Sequence, residues 1–93
     1  TSDTTSLDLL GHEQLHFDIA ELYRRKIEQE IIKLQQNKEK KAAVYREEIK
    51  RVLAEFNVYS RRYDRESDHG KSRPEQARWK IEVEMGLKEF HSN

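Results

Sequence analysis

The chain of 93 residues contains no cysteine, which excludes disulfide bonds and any metal site built on thiolates. It has a single proline and three glycines, and neither residue type occurs between Gly11 and Gly70. Glycine and proline are the strongest local interrupters of regular secondary structure. The sequence therefore permits unusually long, uninterrupted elements.

The chain also has no net charge, because its formal charge at pH 7 is zero. No overall electrostatic field therefore attracts it to nucleic acid or to a membrane surface. No apolar run approaches the roughly 18 residues of a membrane span, and no apolar core of a secretory signal is visible. We therefore predict an intracellular protein, in the cytoplasm or the nucleus, without membrane contact.

The charge is unevenly distributed along the chain, however. Residues 1–30 carry seven acidic and three basic side chains, and residues 33–51 carry three acidic and seven basic ones.

Apolar residues are scarce, at 34% of the chain against 39% charged residues. A chain this short hides only about 60 to 65% of its unfolded surface even when it is well packed. Elongated helices or an oligomer fit this composition better than a self-sufficient compact core. Disorder is the alternative that high charge and few aromatic residues favour, and it stays open for the two ends of the chain.

What the chain does contain is an apolar pattern with steps of three and four residues from Leu15 to Tyr63. Such steps place the side chains along one side of a helix, and a lone helix cannot bury that side. We call this set the apolar seam and predict that it forms the oligomerisation and partner-binding surface. Its members are Leu15, Ile19, Leu22, Ile27, Ile31, Leu34, Tyr45, Ile49, Val52, Phe56, Tyr59 and Tyr63.

The predicted fold class is mainly α, with four segments along the chain. Residues 1–11 are a polar tail and a short turn that a glycine cap ends, residues 12–66 are a long helix or a helical hairpin, residues 67–74 are a loop, and residues 75–91 are a C-terminal helix. Together they predict a coiled coil or a hairpin with a short third helix, assembled into an oligomeric bundle.

The segment from Gln35 to Lys41 decides between the two forms of the long element, because it contains no apolar residue. Either the helix runs straight through it, or the chain turns back near Asn37. Every residue there except Asn37 is a good helix former. The sequence favours a continuous helix from about His12 to about Glu66.

The C-terminal element is ambiguous in its periodicity. Residues 77–87 alternate between apolar and other residues, which is typical of a strand. Ser72 and Glu75 have the spacing of a capping box, and Pro74 suits a first helical turn. These signals favour a helix, in which Trp79 and Phe90 either cover the core or form an exposed hot spot.

One short motif matches a known metal-binding catalytic pattern. His12-Glu13-Gln14-Leu15-His16 reads H-E-x-x-H, the pattern in which two histidines one helical turn apart bind zinc and the glutamate activates water. The extended form of the motif has a glycine and a third histidine downstream, and residues 17–23 supply neither. The sequence alone therefore favours partly solvated histidines, and it predicts no catalytic residue, no metal and no cofactor.

A basic cluster follows the seam and offers a second interpretation. Its members are Arg61, Arg62, Arg65, Lys71 and Arg73. Arginine with a nearby tyrosine can grip phosphates and stack on bases. Acidic residues interleave with the cluster and weaken its field. A polyanion contact, such as nucleic acid, is the alternative rather than the main prediction.

The predicted function is therefore non-catalytic. The seam favours a helical module for oligomerisation and protein–protein interaction, an adaptor or scaffold fragment of a larger protein. Its bulky aromatic members suit antiparallel packing better than a slim parallel dimer. The expected partners are a second copy of the chain, in an antiparallel homodimer, and another protein.

Overall fold

A computed structural model describes residues 3–90, with side chains from Asp8 onward. Three α-helices make up most of it: α1 is Asp3–Gln36, α2 is Ala42–Glu66 and α3 is Arg73–Glu89. Residues 3–90 contain no strand, so the prediction of a mainly α fold is confirmed. The alternating residues 77–87 are helical. None of the three helices is long and apolar enough to cross a membrane.

The long element is not continuous. α1 ends at Gln36 and α2 begins at Ala42, so the favoured single helix across residues 12–66 is wrong. Lys38 adopts a positive φ of 60°, and the Tyr45 hydroxyl donates to the Glu39 carbonyl at 2.7 Å. The polar residues here bury nothing that would stabilise a helix. Packing of α1 on α2 therefore outweighs their helix propensity.

The beginning of α1 also differs from the prediction. Residues 3–11 belong to the helix rather than to a tail and a turn, and Gly11 lies inside α1 instead of capping it. A single interior glycine costs only about 1 kcal/mol relative to alanine, and each added helical residue gains a backbone hydrogen bond. One glycine is therefore insufficient to end the helix. The predicted tail residues 1–2 lie outside the described range.

The connection between α2 and α3 is a tight loop in which three consecutive residues have positive φ values. α2 ends at Glu66 as predicted, and the loop places Asp68, His69 and Gly70 at φ values of 52°, 56° and 93°. Ser72 is the N-cap of α3, and Pro74 lies in its first turn. The Ser72 side chain makes no capping hydrogen bond, so only the position of the predicted capping box is right. The end of the predicted helix, beyond Phe90, lies outside the described residues.

α1 and α2 run antiparallel. The Tyr63 hydroxyl lies 3.0 Å from the His12 carbonyl oxygen at one end of the pair, and Arg51 lies 3.9 Å from the Glu30 carboxylate towards the other. α3 packs on the first of these ends only. The buried hydrophobic residues all lie there: Leu15, Ile19, Leu22, Tyr23, Val52, Tyr63, Trp79 and Val83.

The molecule therefore has two unlike ends along its 57 Å length. We call residues 12–23, 52–70 and 73–90 the three-helix end, and residues 27–49 the two-helix end. No residue of the two-helix end is buried. Five of the twelve seam residues are buried within the chain, and the other seven are partly buried. The seam is thus largely covered by the chain's own helices.

Candidate metal centre

Three side chains from two helices converge at the three-helix end. The Nε2 atom of His12 lies 2.9 Å from Asp64 Oδ1, and Nε2 of His16 lies 2.7 Å from the same oxygen. One ligand atom from each of the three residues lies within 4.8 Å of the other two. Because the two histidines are four residues apart, they share a face of α1. α2 brings Asp64 to that face from 48 residues further along the chain.

Buried residues next to these polar side chains in the sequence fix the orientation of both helices at the site. Leu15, inside the H-E-x-x-H segment, is only 2% exposed and anchors α1 in the core. Tyr63, next to Asp64, is fully buried, and its ring stacks on His12 with a centroid distance of 4.6 Å. Two core residues adjacent in sequence to the polar ones thus fix the rotation of both helices.

The other nitrogen of each imidazole also has a partner. His12 Nδ1 lies 3.2 Å from Gln76 Oε1 on α3, and His16 Nδ1 lies 3.3 Å from Ser60 Oγ on α2. Gln76 Oε1 also accepts a hydrogen bond from the Tyr63 hydroxyl at 2.8 Å. Hydrogen bonds to the outer nitrogen are the usual means of orienting metal-binding histidines.

His12 faces an acceptor at both nitrogens, and this has a chemical consequence. A neutral imidazole can donate from only one nitrogen. If Nδ1 donates to Gln76, then Nε2 faces the Asp64 carboxylate either as part of an imidazolium or with its lone pair. A divalent cation between Nε2 and the carboxylate would satisfy the second arrangement. With its side chain only 4% exposed, His12 has little access to water as a substitute partner.

The charge state of Asp64 suits a ligand. Burial acts to raise the pKa of its carboxyl group, but hydrogen bonds from His16 and His12 outweigh that effect and hold the pKa below its ordinary value. Asp64 is therefore ionised at neutral pH. Burial raises the pKa of Tyr63 to about 12, so that its hydroxyl keeps its proton and remains a donor.

Gly70 lies directly against the His12 side chain. Its φ is 93°, and a Cβ atom built there would lie 2.8 Å from His12 Cβ and 2.9 Å from His12 Cγ. Only glycine combines this backbone conformation with so close an approach. The loop between α2 and α3 therefore restricts the position of the His12 side chain.

The dimensions match zinc after a small adjustment. Zinc bonds to nitrogen and oxygen of about 2.0 to 2.2 Å in a tetrahedron require ligand atoms about 3.4 Å apart. The distances of 2.9 and 2.7 Å to Asp64 Oδ1 are those of hydrogen bonds, so a bound ion would move the ligand atoms apart by about 0.5 to 0.7 Å. His16 and Asp64 have side chains that are 25% and 35% exposed, which leaves this side of the cluster open to solvent.

A family model matches residues 2–70, three quarters of the chain. The family is described as a bacterial protein of unknown function, DUF922. The chain belongs to this family. No curated protein and no solved structure matches it. The matched DUF922 segment contains His12, His16, Asp64 and Gly70, whereas α3 with Gln76 lies beyond it.

The residues predicted for polyanion contact do not form one surface of unpaired charge in this DUF922 chain. Arg62 donates to Glu66 at 2.7 Å, and Arg73 donates to Asp8 at 2.9 Å. Arg61, Arg65 and Lys71 are exposed. Of the two aromatic residues singled out near the C-terminus, Trp79 is fully buried and Phe90 packs against the core.

Sequence inspection identified the histidines of the cluster but missed its third member. Asp64 lies next to a seam tyrosine and among alternating charges, where it looks like part of a solvated helix end. The available signal was the helical register, since Asp64 adjoins Tyr63 and would lie beside the H-E-x-x-H face if the chain turned back. Favouring a continuous helix removed that possibility.

Proposed function

We propose that this DUF922 protein binds a divalent metal ion, zinc above others, through His12, His16 and Asp64, and that it acts as a metal-dependent hydrolase. The observation that carries the proposal is the shared approach of both Nε2 atoms to one oxygen of Asp64, at 2.9 and 2.7 Å. Two imidazoles and a carboxylate form one of the established ligand sets of catalytic zinc. Such a set leaves a fourth position for water or substrate.

The ligand types favour zinc over harder ions. Calcium and magnesium prefer oxygen ligands, whereas imidazole suits zinc and neighbouring transition metals. A bound zinc ion supplies a Lewis acid and lowers the pKa of coordinated water. The outer contacts of the two rings with Gln76 and Ser60 would keep both imidazoles oriented towards the ion.

Glu13 is the residue that we assign as general base. It follows His12 in α1 and is therefore rotated by about 100° from it around the helix axis. Glu13 is exposed, and its charge is close enough to contribute to raising the pKa of Tyr63. In the H-E-x-x-H arrangement this carboxylate takes the proton from the attacking water, and amide bonds of peptides are the substrate class associated with it.

Metal binding is tested first, without reference to activity. The apo protein, prepared with a chelator, is titrated with zinc by calorimetry, and one equivalent is expected to bind. Asp64→Asn is expected to weaken binding at least tenfold, because it removes the anionic ligand. Asp18→Asn is the matched control, since Asp18 lies on α1 and bonds to Gln14 instead. Absence of stoichiometric zinc in the unaltered protein would refute the proposal.

Catalysis is tested separately with Glu13→Gln. This variant is expected to keep its zinc, because Glu13 is not a ligand, and to lose about 10²- to 10⁴-fold in turnover. The probe is a mixture of fluorescence-quenched peptides, assayed with the zinc-loaded protein. A zinc-loaded protein that cleaves none of them, or a variant as active as the parent, would leave a metal-binding module without the assigned hydrolysis.

A second candidate function rests on a different observation. Large apolar side chains are exposed on the three-helix end, among them Phe17 at 71%, Val58 at 65% and Met85 at 65%. We propose that these surfaces associate with another helix, in an antiparallel homodimer or with a partner protein, whereas the sequence placed that association on the apolar seam. Light scattering across a concentration range tests this proposal. A monomer throughout would reject the homodimer.

The polyanion interpretation receives less support. Two of its five residues, Arg62 and Arg73, are paired with carboxylates. Nucleic-acid binding that falls steeply between low and moderate salt would be needed to revive it.

A further inference from the structure

Gln76 is the one α3 side chain that reaches the candidate metal ligands within the described residues. Its Oε1 atom lies 3.2 Å from His12 Nδ1 and 2.8 Å from the Tyr63 hydroxyl oxygen. Its Nε2 atom lies 3.5 Å from the Gly11 carbonyl oxygen. The side-chain amide therefore contacts α1 and α2 at the same time, and it does so from a helix that the family model does not cover.

The orientation of this amide follows from its neighbours. A carbonyl oxygen only accepts hydrogen bonds, so the amide atom that lies 3.5 Å from the Gly11 carbonyl oxygen is the nitrogen of Gln76. This orientation places the amide oxygen of Gln76, rather than its nitrogen, beside His12 Nδ1 and the Tyr63 hydroxyl, which also lies 3.0 Å from the His12 carbonyl oxygen.

An oxygen at that position selects one form of His12. An amide oxygen can only accept, so it favours a proton on Nδ1 and leaves the Nε2 lone pair for a ligand. The stacking of Tyr63 on the ring and the close approach of Gly70 restrict the ring further. His12 is thus held by contacts from α2, from the loop and from α3.

We infer that Gln76 is a positioning residue for the metal centre, and that zinc affinity depends on the docking of α3 through the Gln76–His12 hydrogen bond. This inference rests on the proposed zinc site. It adds a residue outside the H-E-x-x-H motif and outside the matched family segment. It also assigns α3 a role in metal binding as well as in covering the core.

The first test compares zinc affinities, measured by competition with a chromophoric chelator. Gln76→Leu keeps the size of the side chain but removes the acceptor, and it is expected to weaken zinc binding 10- to 100-fold. Gln76→Glu restores an acceptor at the same position and is expected to bind within about threefold of the parent. Gln14→Leu is the matched control, because Gln14 lies between the two histidines yet bonds to Asp18.

Each outcome of this comparison has a definite meaning. If Gln76→Leu binds zinc as tightly as the parent, or if Gln76→Glu is as weak as Gln76→Leu, the inference is overturned. If the parent itself binds no zinc, the metal proposal fails rather than the role of Gln76 alone. Circular dichroism of each apo variant separates lost affinity from lost folding.

The second test needs no variant and therefore holds even if Gln76→Leu does not fold. Long-range proton–nitrogen correlation spectra of the zinc-loaded protein report which nitrogen of each histidine ring carries the proton. His12 is expected to carry it on Nδ1 and to bind zinc through Nε2. A proton on Nε2 of His12 would overturn the inference.

Discussion

The two ends of the molecule share one sequence pattern and differ in what covers it. The seam runs through both with the same spacing, yet its five buried members all lie at the three-helix end. At the two-helix end Ile31, Leu34 and Ile49 face only one neighbouring helix and remain partly exposed. The third helix, rather than apolar content, makes the difference, because two helices alone cannot enclose a core.

The candidate metal centre belongs to the end with the third helix, and the reason is physical. A polar cluster with low exposure needs hydrogen bonds for its outer atoms, and Gln76 on α3 supplies one to His12. The loop that leads into α3 supplies the close contact of Gly70. A site of this kind could not be held as firmly where only α1 and α2 meet.

The largest effect is expected from removing the main side chain of the third helix. Trp79 is fully buried, and its indole nitrogen donates to Glu66 at 3.1 Å. Trp79→Ala is expected to lower the free energy of unfolding by about 3 to 5 kcal/mol, measured by urea denaturation. The control is Ile81→Ala, two residues along α3 and 60% exposed, which should cost about 0.5 kcal/mol or less. Similar losses for both would mean that α3 is not docked.

Zinc is expected to stabilise the folded chain next most strongly. A ligand that binds only the native state at one hundred times its Kd adds about 2.7 kcal/mol to the free energy of unfolding. Hydrogen exchange should show added protection beside His12, His16 and Asp64, with less change in residues 27–49 for amides that exchange by local opening. Asp64→Asn should lower this stabilisation by about 1.3 kcal/mol or more at the same zinc concentration. Equal protection at both ends in that variant would point to nonspecific binding.

A comparison of Gly70 with Gly11 tests whether the site needs a glycine beside His12. Gly70→Ala places a methyl group against His12 in a left-handed backbone conformation, and it should cost about 1 to 3 kcal/mol and weaken zinc binding. Gly11→Ala is the control, because a Cβ there meets nothing within 4 Å. Removing an interior helical glycine should add about 0.5 to 1 kcal/mol. The comparison fails if both variants shift the thermal melting temperature in the same direction.

The smallest effect is expected at the two-helix end. Ile31→Ala removes a side chain that one helix covers only in part, so about 1 kcal/mol or less should be lost. Leu22→Ala, at the three-helix end, removes a side chain that is 4% exposed and should cost about 2 to 5 kcal/mol. Both costs are measured by urea denaturation. Equal costs would show that another molecule covers the two-helix end.

Much of the fold was predictable because it depends on local signals. The end of α2 at Glu66, the loop and the start of α3 beside Pro74 follow from Gly70, Ser72 and Pro74. The break at residues 37–41 was not predictable in this way. Its residues favour a helix, and the packing of distant partners such as Tyr23 on Phe56 stabilises the reversal.

The candidate site was predictable in part. The spacing of His12 and His16 is visible in the sequence and places both rings on one helix face. Asp64, Ser60 and Gln76 are separated from their histidine partners by 44 to 64 residues. No local pattern links them, since a carboxylate, a hydroxyl and an amide are common on exposed helix surfaces.

The sequence by itself determined that this chain is helical, which side of each long helix is apolar, and that two histidines lie one turn apart. These properties arise from the period of the α-helix and from interactions within a few residues. The tertiary structure decided where the chain turns back, which part of the seam is enclosed, and that Asp64 and Gln76 meet His12. Those outcomes depend on contacts between distant segments, whose free energy appears only when the helices pack together.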